Sequence, residues 1–238
     1  VLAARIHLAT PDGTDKSFDL ELIGETDPFV VRGPYLQMGT STSLIIRWST
    51  AVPTSTRLRY GTTVGALKSI VEDPALVLDH QVVLAGLTPD TDYAYAIGDA
   101  AGDFEGDDAD HVFHTSPPPG TVTPVRIWVI GDSGTASVPP WLVDHAYDSF
   151  TGTRRTDVWL MLGDNAYTTG TDEEYQVSLF DMYPRMLRRT SVWPARGNHD
   201  FVAPVYFGIF DLPTQGEAGG VPSGTESYYS FDHANLHF

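Results

Sequence analysis

Three short segments of this chain pair glycine with hard oxygen donors. They are Gly131-Asp132-Ser133-Gly134, Gly163-Asp164-Asn165-Ala166-Tyr167 and Gly197-Asn198-His199-Asp200. Each follows an apolar run of strand length, at residues 125–130, 157–162 and 191–194. One such segment is an ordinary turn composition. Three in order, each closing a strand, form a pattern, because open α/β sheets bind ligands beyond the carboxyl ends of their strands. Glycine lets the backbone turn sharply and come close to a ligand there. The donor types suit a pair of metal ions roughly 3.5–4 Å apart, which can clamp a phosphate and make a nucleophile from water at mild pH. Asp132 and Asp164 supply carboxylates, one of which must bridge both ions. Asn198 supplies a neutral oxygen and Tyr167 a phenolate. A phenolate is a poor ligand for divalent ions, but a ferric ion carries enough charge to overcome a phenol pKa of about 10.

The flanking patterns supply the elements that would position these loops. After the first strand and loop, Pro139-Pro140-Trp141 opens a helical segment to Phe150, with proline where helix starts tolerate it. Residues 172–187 carry helical spacing through Tyr175, Leu179, Met182 and Met186. Strand, helix, strand, helix, strand describes an α/β layer around a buried sheet. The preceding residues read as all-β. Leu44-Ile45-Ile46-Arg47-Trp48, Arg57-Leu58-Arg59-Tyr60 and His80-Gln81-Val82-Val83-Leu84 are strands, and Gly61-Thr62-Thr63 is a turn. Leu87-Thr88-Pro89-Asp90-Thr91-Asp92-Tyr93, entering an alternating run, spells a tyrosine corner, in which the Tyr93 hydroxyl bonds nearby backbone. Ser116-Pro117-Pro118-Pro119-Gly120 is a stiff linker. Before all of this, residues 4–8 and 17–23 form two strand-like runs around Thr10-Pro11-Asp12-Gly13, read as a closing hairpin of an earlier β segment.

Composition narrows the function. Among 238 residues, 31 Asp and Glu face 14 Lys and Arg, a net charge of −17. Such a surface repels nucleic acid, and it disfavours anionic substrates unless a metal reverses the local field. No run approaches the roughly 20 apolar residues of a membrane span. There is no cysteine, which excludes disulfides, thiolate catalysis and Cys-based zinc sites. The chain opens at Val1 without a signal region and closes inside an alternating apolar pattern, so it reads as a fragment at both ends.

Residues 29–117 resemble a fibronectin type III domain. From about residue 29 to 238 the chain resembles the purple acid phosphatases, within the calcineurin-like metallophosphoesterases. That family carries Gly-Asp-x-Gly, Gly-Asp-x-x-Tyr and Gly-Asn-His-Asp/Glu in this order, and the tyrosine of the second block sets it apart from most relatives. The resemblance implies an all-β sandwich followed by an α/β metallophosphoesterase domain, an incomplete β-sandwich with flanking helices. The divisions are residues 1–28 for the end of a preceding β segment, 29–118 for the sandwich and 123–238 for the first part of the catalytic domain. It implies a binuclear centre of Fe(III) and a divalent ion (iron, zinc or manganese). Asp132 and Tyr167 would bind the ferric ion, Asp164 would bridge, and Asn198 would bind the divalent ion. His199 would contact the phosphate and protonate the leaving oxygen, with Asp200 orienting that imidazole. A metal-bound hydroxide would attack phosphorus. The family also implies export from the cytoplasm and a small phosphate-ester substrate.

Two further family blocks, Val-x-x-His and Gly-His-x-His, do not follow here. Val77-Leu78-Asp79-His80 fits the first by letters but falls in the sandwich. His233 and His237 read as residues of one strand, about 13 Å apart at roughly 3.3 Å per residue, too far to share a metal. His7, His111, His114 and His145 have no partner pattern, and Asp107, Asp108 and Asp110 read as a solvated hairpin tip. The expectation is an acid phosphatase acting on monoesters whose site is incomplete within these residues, so that the chain alone binds metal weakly and hydrolyses little. A phosphodiesterase or nucleotidase with the same core, and a non-catalytic surface-binding protein, stay open as alternatives. Oligomeric state is not legible.

Overall fold

The computed structural model describes residues 2–8, 18–24 and 29–238, with side chains from Phe29 onward. Strands β1 (Leu2–Leu8) and β2 (Phe18–Gly24) pair antiparallel, Leu2 opposite Gly24. The turn expected at Thr10-Pro11-Asp12-Gly13 lies outside the described residues.

A sandwich follows, built from β3 (Val30–Gln37), β4 (Ser43–Gly61), β5 (Ser69–Ala85), β6 (Asp92–Asp99), β7 (Gly102–Gly106) and β8 (Val112–His114). All pairings are antiparallel. Strands β4 and β5 each serve both layers. The first half of β4 lies between β3 and the end of β5, with Ile46 opposite Leu36 and Val82. Its second half lies between the start of β5 and β6, with Leu58 opposite Val71 and Ile97. The runs expected as two strands, 44–48 and 57–60, are therefore one strand. Its register breaks between Ser49 and Thr54, around Pro53, which has no N–H to give a ladder. Leu36, Ile46, Trp48, Leu58, Tyr95 and Ile97 fill the space between the layers. The backbone N–H of Thr88 donates to the Tyr93 hydroxyl at 2.9 Å, closing the corner.

The second unit has a parallel sheet in the order β11-β10-β9: β9 (Ile127–Ile130), β10 (Val158–Met161) and β11 (Val192–Pro194). Helix α1 (Val138–Thr151) makes the first crossover, as parallel neighbours require. The helix expected over 172–187 is broken into α2 (Asp172–Tyr175), a π turn (Gln176–Phe180) and α3 (Pro184–Leu187). Pro184 cannot continue a preceding helix, because it lacks the N–H and its ring clashes with the turn before. Helix α4 (Ala203–Ile209) follows β11. Trp159, Tyr175, Leu179, Tyr183, Tyr206 and Phe210 are buried together, and Trp128 stacks on Trp159 at 5.3 Å. The run expected as one strand at the end turns back on itself as β12 (Asp232–His233) and β13 (Leu236–His237), with Ala234 at φ 54° in the turn.

The two units are tied by directed bonds. The Ile209 carbonyl accepts from the Tyr35 hydroxyl (3.1 Å), Gln37 Nε2 (3.0 Å) and Arg47 Nη1 (3.0 Å). Gln37 is fully buried, so these bonds satisfy a polar group that would otherwise be costly. Arg32 pairs with Asp172 at 2.8 Å and donates to Gln176, fastening the start of α2 to the sandwich.

Candidate metal centre

The three glycine loops leave the ends of adjacent strands β9, β10 and β11, and backbone bonds stitch them together. Asp132 N donates to Gly163 O (3.1 Å), Gly134 N to Asp164 O (3.1 Å) and Tyr167 N to Gly134 O (2.9 Å). The loops are packed backbone to backbone. A Cβ on Gly134 would overlap the Asn165–Ala166 peptide, and one on Gly197 would overlap the amide nitrogen and carboxylate of Asp164. Glycine at these two positions is a condition for the loops to meet.

Asp132 and Asp164 both adopt φ 54°, in the left-handed region that aspartate tolerates better than most residues. The Tyr167 hydroxyl lies 3.0 Å from Asp132 Oδ1 and 3.0 Å from Asp164 Oδ2. One proton thus faces two carboxylate oxygens. Burial, reinforced by these carboxylates, raises the Tyr167 pKa well above the usual phenol range, so without a cation the phenol stays protonated. The remaining oxygen of Asp164, Oδ1, accepts from the backbone N–H of His199 at 2.9 Å, and this bond lowers the Asp164 pKa.

The donor set fits a cation. Three hard oxygens converge with a single proton among them, and such donors select hard, highly charged ions. The set is all oxygen. Among the described residues, no group of three His, Cys, Asp or Glu side chains is gathered to hold a metal. Asn198 stands exposed at the tip of the third loop.

His199 is held from one side. Its Nδ1 donates to the Thr168 carbonyl at 2.8 Å, and its ring lies 4.4 Å from that of Tyr167. Asp200 does not orient this imidazole. It is fully buried, and its carboxylate accepts from Tyr175 Oη (2.6 Å), Gly197 N (2.8 Å), and Asn165 N and Nδ2 (3.0 and 2.9 Å). It ties the second loop to the third instead. A residue next to the histidine in sequence points the other way, into the core.

His80, His111, His114, His145 and His237 are engaged elsewhere. His80 is buried in the sandwich, stacked on Trp48 at 4.8 Å and bonded by Thr50, Thr54 and Thr56. His114 sits between Asp90 and Asp92, and His111 against Asp108. His145 lies 3.9 Å from Asp144 and packs on Trp141. His237 bonds Asp232 across the terminal hairpin. Asp107, of the same hairpin tip as Asp108, accepts from Gly65 N. Sequence reasoning does not find Glu174, which binds the loop beside His199, although Thr171-x-x-Glu174 spells a helix capping box.

Residues 31–115 match the purple acid phosphatase N-terminal domain. The solved structure of PhoD superposes with a TM-score of 0.56 at 13% identity, covering 74% of this chain and 40% of that one. At that identity the likeness shows the fold alone, and this chain spans less than half the length of PhoD. The sixth fibronectin type III domain of human fibronectin type III domain containing protein 3 aligns at 18% identity, over 43% of this chain and 97% of that one. Its TM-score is 0.28. No curated protein matches the chain. Among the described residues, no helix is long and apolar enough to cross a membrane.

Proposed function

We propose that the chain carries part of the active site of a metal-dependent phosphoester hydrolase of the purple acid type, acting on small phosphate monoesters. The observation that supports this reading best is the single Tyr167 hydroxyl shared by Asp132 and Asp164. A protein that only needed to bridge two loops would not gather two carboxylates around one proton, since like charges in contact repel. Asp132 and Tyr167 would hold the ferric ion, Asp164 both ions, and Asn198 the divalent one, whether iron, zinc or manganese. When bound, the ions supply Lewis acidity toward the phosphoryl group and a nucleophile at mild pH.

The chain's own residues do the rest. The Asp164 carboxylate is fixed by the His199 N–H, so its free oxygen stays turned to Tyr167. The His199 ring has Nδ1 committed to a carbonyl, which leaves Nε2 as the nitrogen that can pass a proton to the leaving oxygen. The net charge of −17 sets the protein against nucleic acid, so the substrate class is a small phosphate ester admitted by the metal charge. An extracytoplasmic setting accords with the matched N-terminal domain.

The test is hydrolysis of p-nitrophenyl phosphate by the protein expressed with whatever follows Phe238 in its reading frame. Activity should vanish on chelation and return with ferric plus divalent ions. Hydrolysis indifferent to chelation, or none with any metal pair, would overturn the reading.

A further inference from the structure

Glu174 stands outside the three glycine loops, yet it is bonded to the backbone beside them. One carboxylate oxygen, Oε1, accepts from the N–H of Thr168. The other, Oε2, accepts from Thr169 N at 3.0 Å and Thr171 N at 2.9 Å. A capping box needs only the last of these. The other two reach back along the chain toward the candidate centre.

The peptide unit joining Thr168 to Thr169 links the two groups. Its N–H donates to Glu174, and its carbonyl, on the opposite edge, accepts from His199 Nδ1 at 2.8 Å. A carboxylate bonded to a peptide N–H polarises that peptide and makes its carbonyl a stronger acceptor. A carbonyl has no proton to offer, so Nδ1 must carry the hydrogen. The same segment is pinned on its far side, where the Thr169 carbonyl accepts from Phe201 N and Val202 N at 3.0 Å each. The charge that steadies the imidazole therefore lies one peptide away from it. The neighbouring acid, Asp200, is wholly occupied in the core.

We infer that Glu174 is the positioning residue of His199, acting through the Thr168–Thr169 peptide to keep Nδ1–H on the carbonyl, so that the imidazolium carries its second proton on Nε2, passes it to the leaving oxygen and is left as the neutral Nδ1–H ring. The inference rests on the proposed role of His199 as proton donor, but its first test does not.

That test is NMR of the metal-free protein with labelled histidine, for wild type, Glu174→Gln and Glu174→Ala. Wild type should show neutral His199 in the Nδ1–H form. Glu174→Ala should shift it toward the Nε2–H form that free imidazole prefers. Amide exchange at Thr168, Thr169 and Thr171 should quicken by about tenfold or more, while β9 and β10 keep their protection. Glu174→Gln, with one acceptor oxygen left, should fall between. An unchanged tautomer in Glu174→Ala overturns the inference.

The second arm uses two esters and the metal-loaded protein expressed with whatever follows Phe238. An alkyl phosphate needs its leaving oxygen protonated, whereas p-nitrophenolate leaves unaided. In Glu174→Ala, kcat for the alkyl ester should fall by about tenfold or more, with p-nitrophenyl phosphate changed less than about twofold. Equal losses on both esters would reduce Glu174 to a structural cap and contradict the inference. A wild type that hydrolyses neither ester would sink the functional reading, and the NMR result would still decide the positioning role.

Discussion

The backbone N–H of His199 donates to Asp164 Oδ1 at 2.9 Å. The loop after β11 is thus indexed on the carboxylate of the loop after β10, and the proposed proton donor and bridging ligand cannot move independently. Asp164→Asn separates the two duties of this side chain. An amide oxygen can still accept from the His199 N–H but brings no charge to a cation. Stability by urea unfolding should change by about 1 kcal/mol or less, the net worth of one ordinary hydrogen bond. Calorimetric affinity for a divalent ion should fall by about tenfold or more. Unfolding of the variant, with metal affinity retained per folded molecule, would show that Asp164 is structural only.

The glycine packing gives a graded series. Gly134→Ala places a methyl group against backbone of the second loop, which has no rotamer to give way, and Gly197→Ala places one against both the amide nitrogen and the carboxylate of Asp164. Each should lose about 1–3 kcal/mol in denaturant unfolding, the usual cost of overpacking. Gly208→Ala, in α4 with no atom within 4 Å of the added carbon, should be neutral or gain up to about 1 kcal/mol from helix propensity.

His80 makes a prediction about pH. Burial lowers its pKa from the usual 6.5, against the opposing field of Asp79. The unfolded chain therefore binds the proton more readily than the folded one. The contribution to stability is complete above about pH 6.5 and is lost below it, as pH falls through the lower folded value. Burial lowers the His233 pKa too, so the loss is shared. His80→Gln should make the fall in unfolding free energy from about pH 8 to about pH 5 shallower, and an unaltered slope would show that His80 does not contribute to it.

Much of this architecture is legible in the residues. The alternation around Tyr93 and the Leu-x-Pro-x-Thr-x-Tyr run identify the corner, and residues 31–115 match a domain of the family the motifs resemble. The three strands ahead of the glycine loops are visible because buried parallel strands read as continuous apolar runs. The helix over 172–187 misleads because its apolar spacing survives a π turn and a proline that redirect the backbone. The role of Asp200 misleads because adjacency in sequence says nothing about side-chain direction in a loop. Its four bonds to Tyr175, Gly197 and Asn165 depend on residues up to 35 positions away. The hold on His199 comes from Thr168, a carbonyl that no side-chain pattern can announce.

The proposed role of Tyr167, set between Asp132 and Asp164, is that of an oxygen ligand to a ferric ion. Visible spectroscopy during ferric loading tests it most directly, using the protein expressed with whatever follows Phe238, as wild type and Tyr167→Phe. Wild type should show a purple phenolate-to-iron band and Tyr167→Phe none, although both bind iron. A band of equal strength in Tyr167→Phe would contradict it.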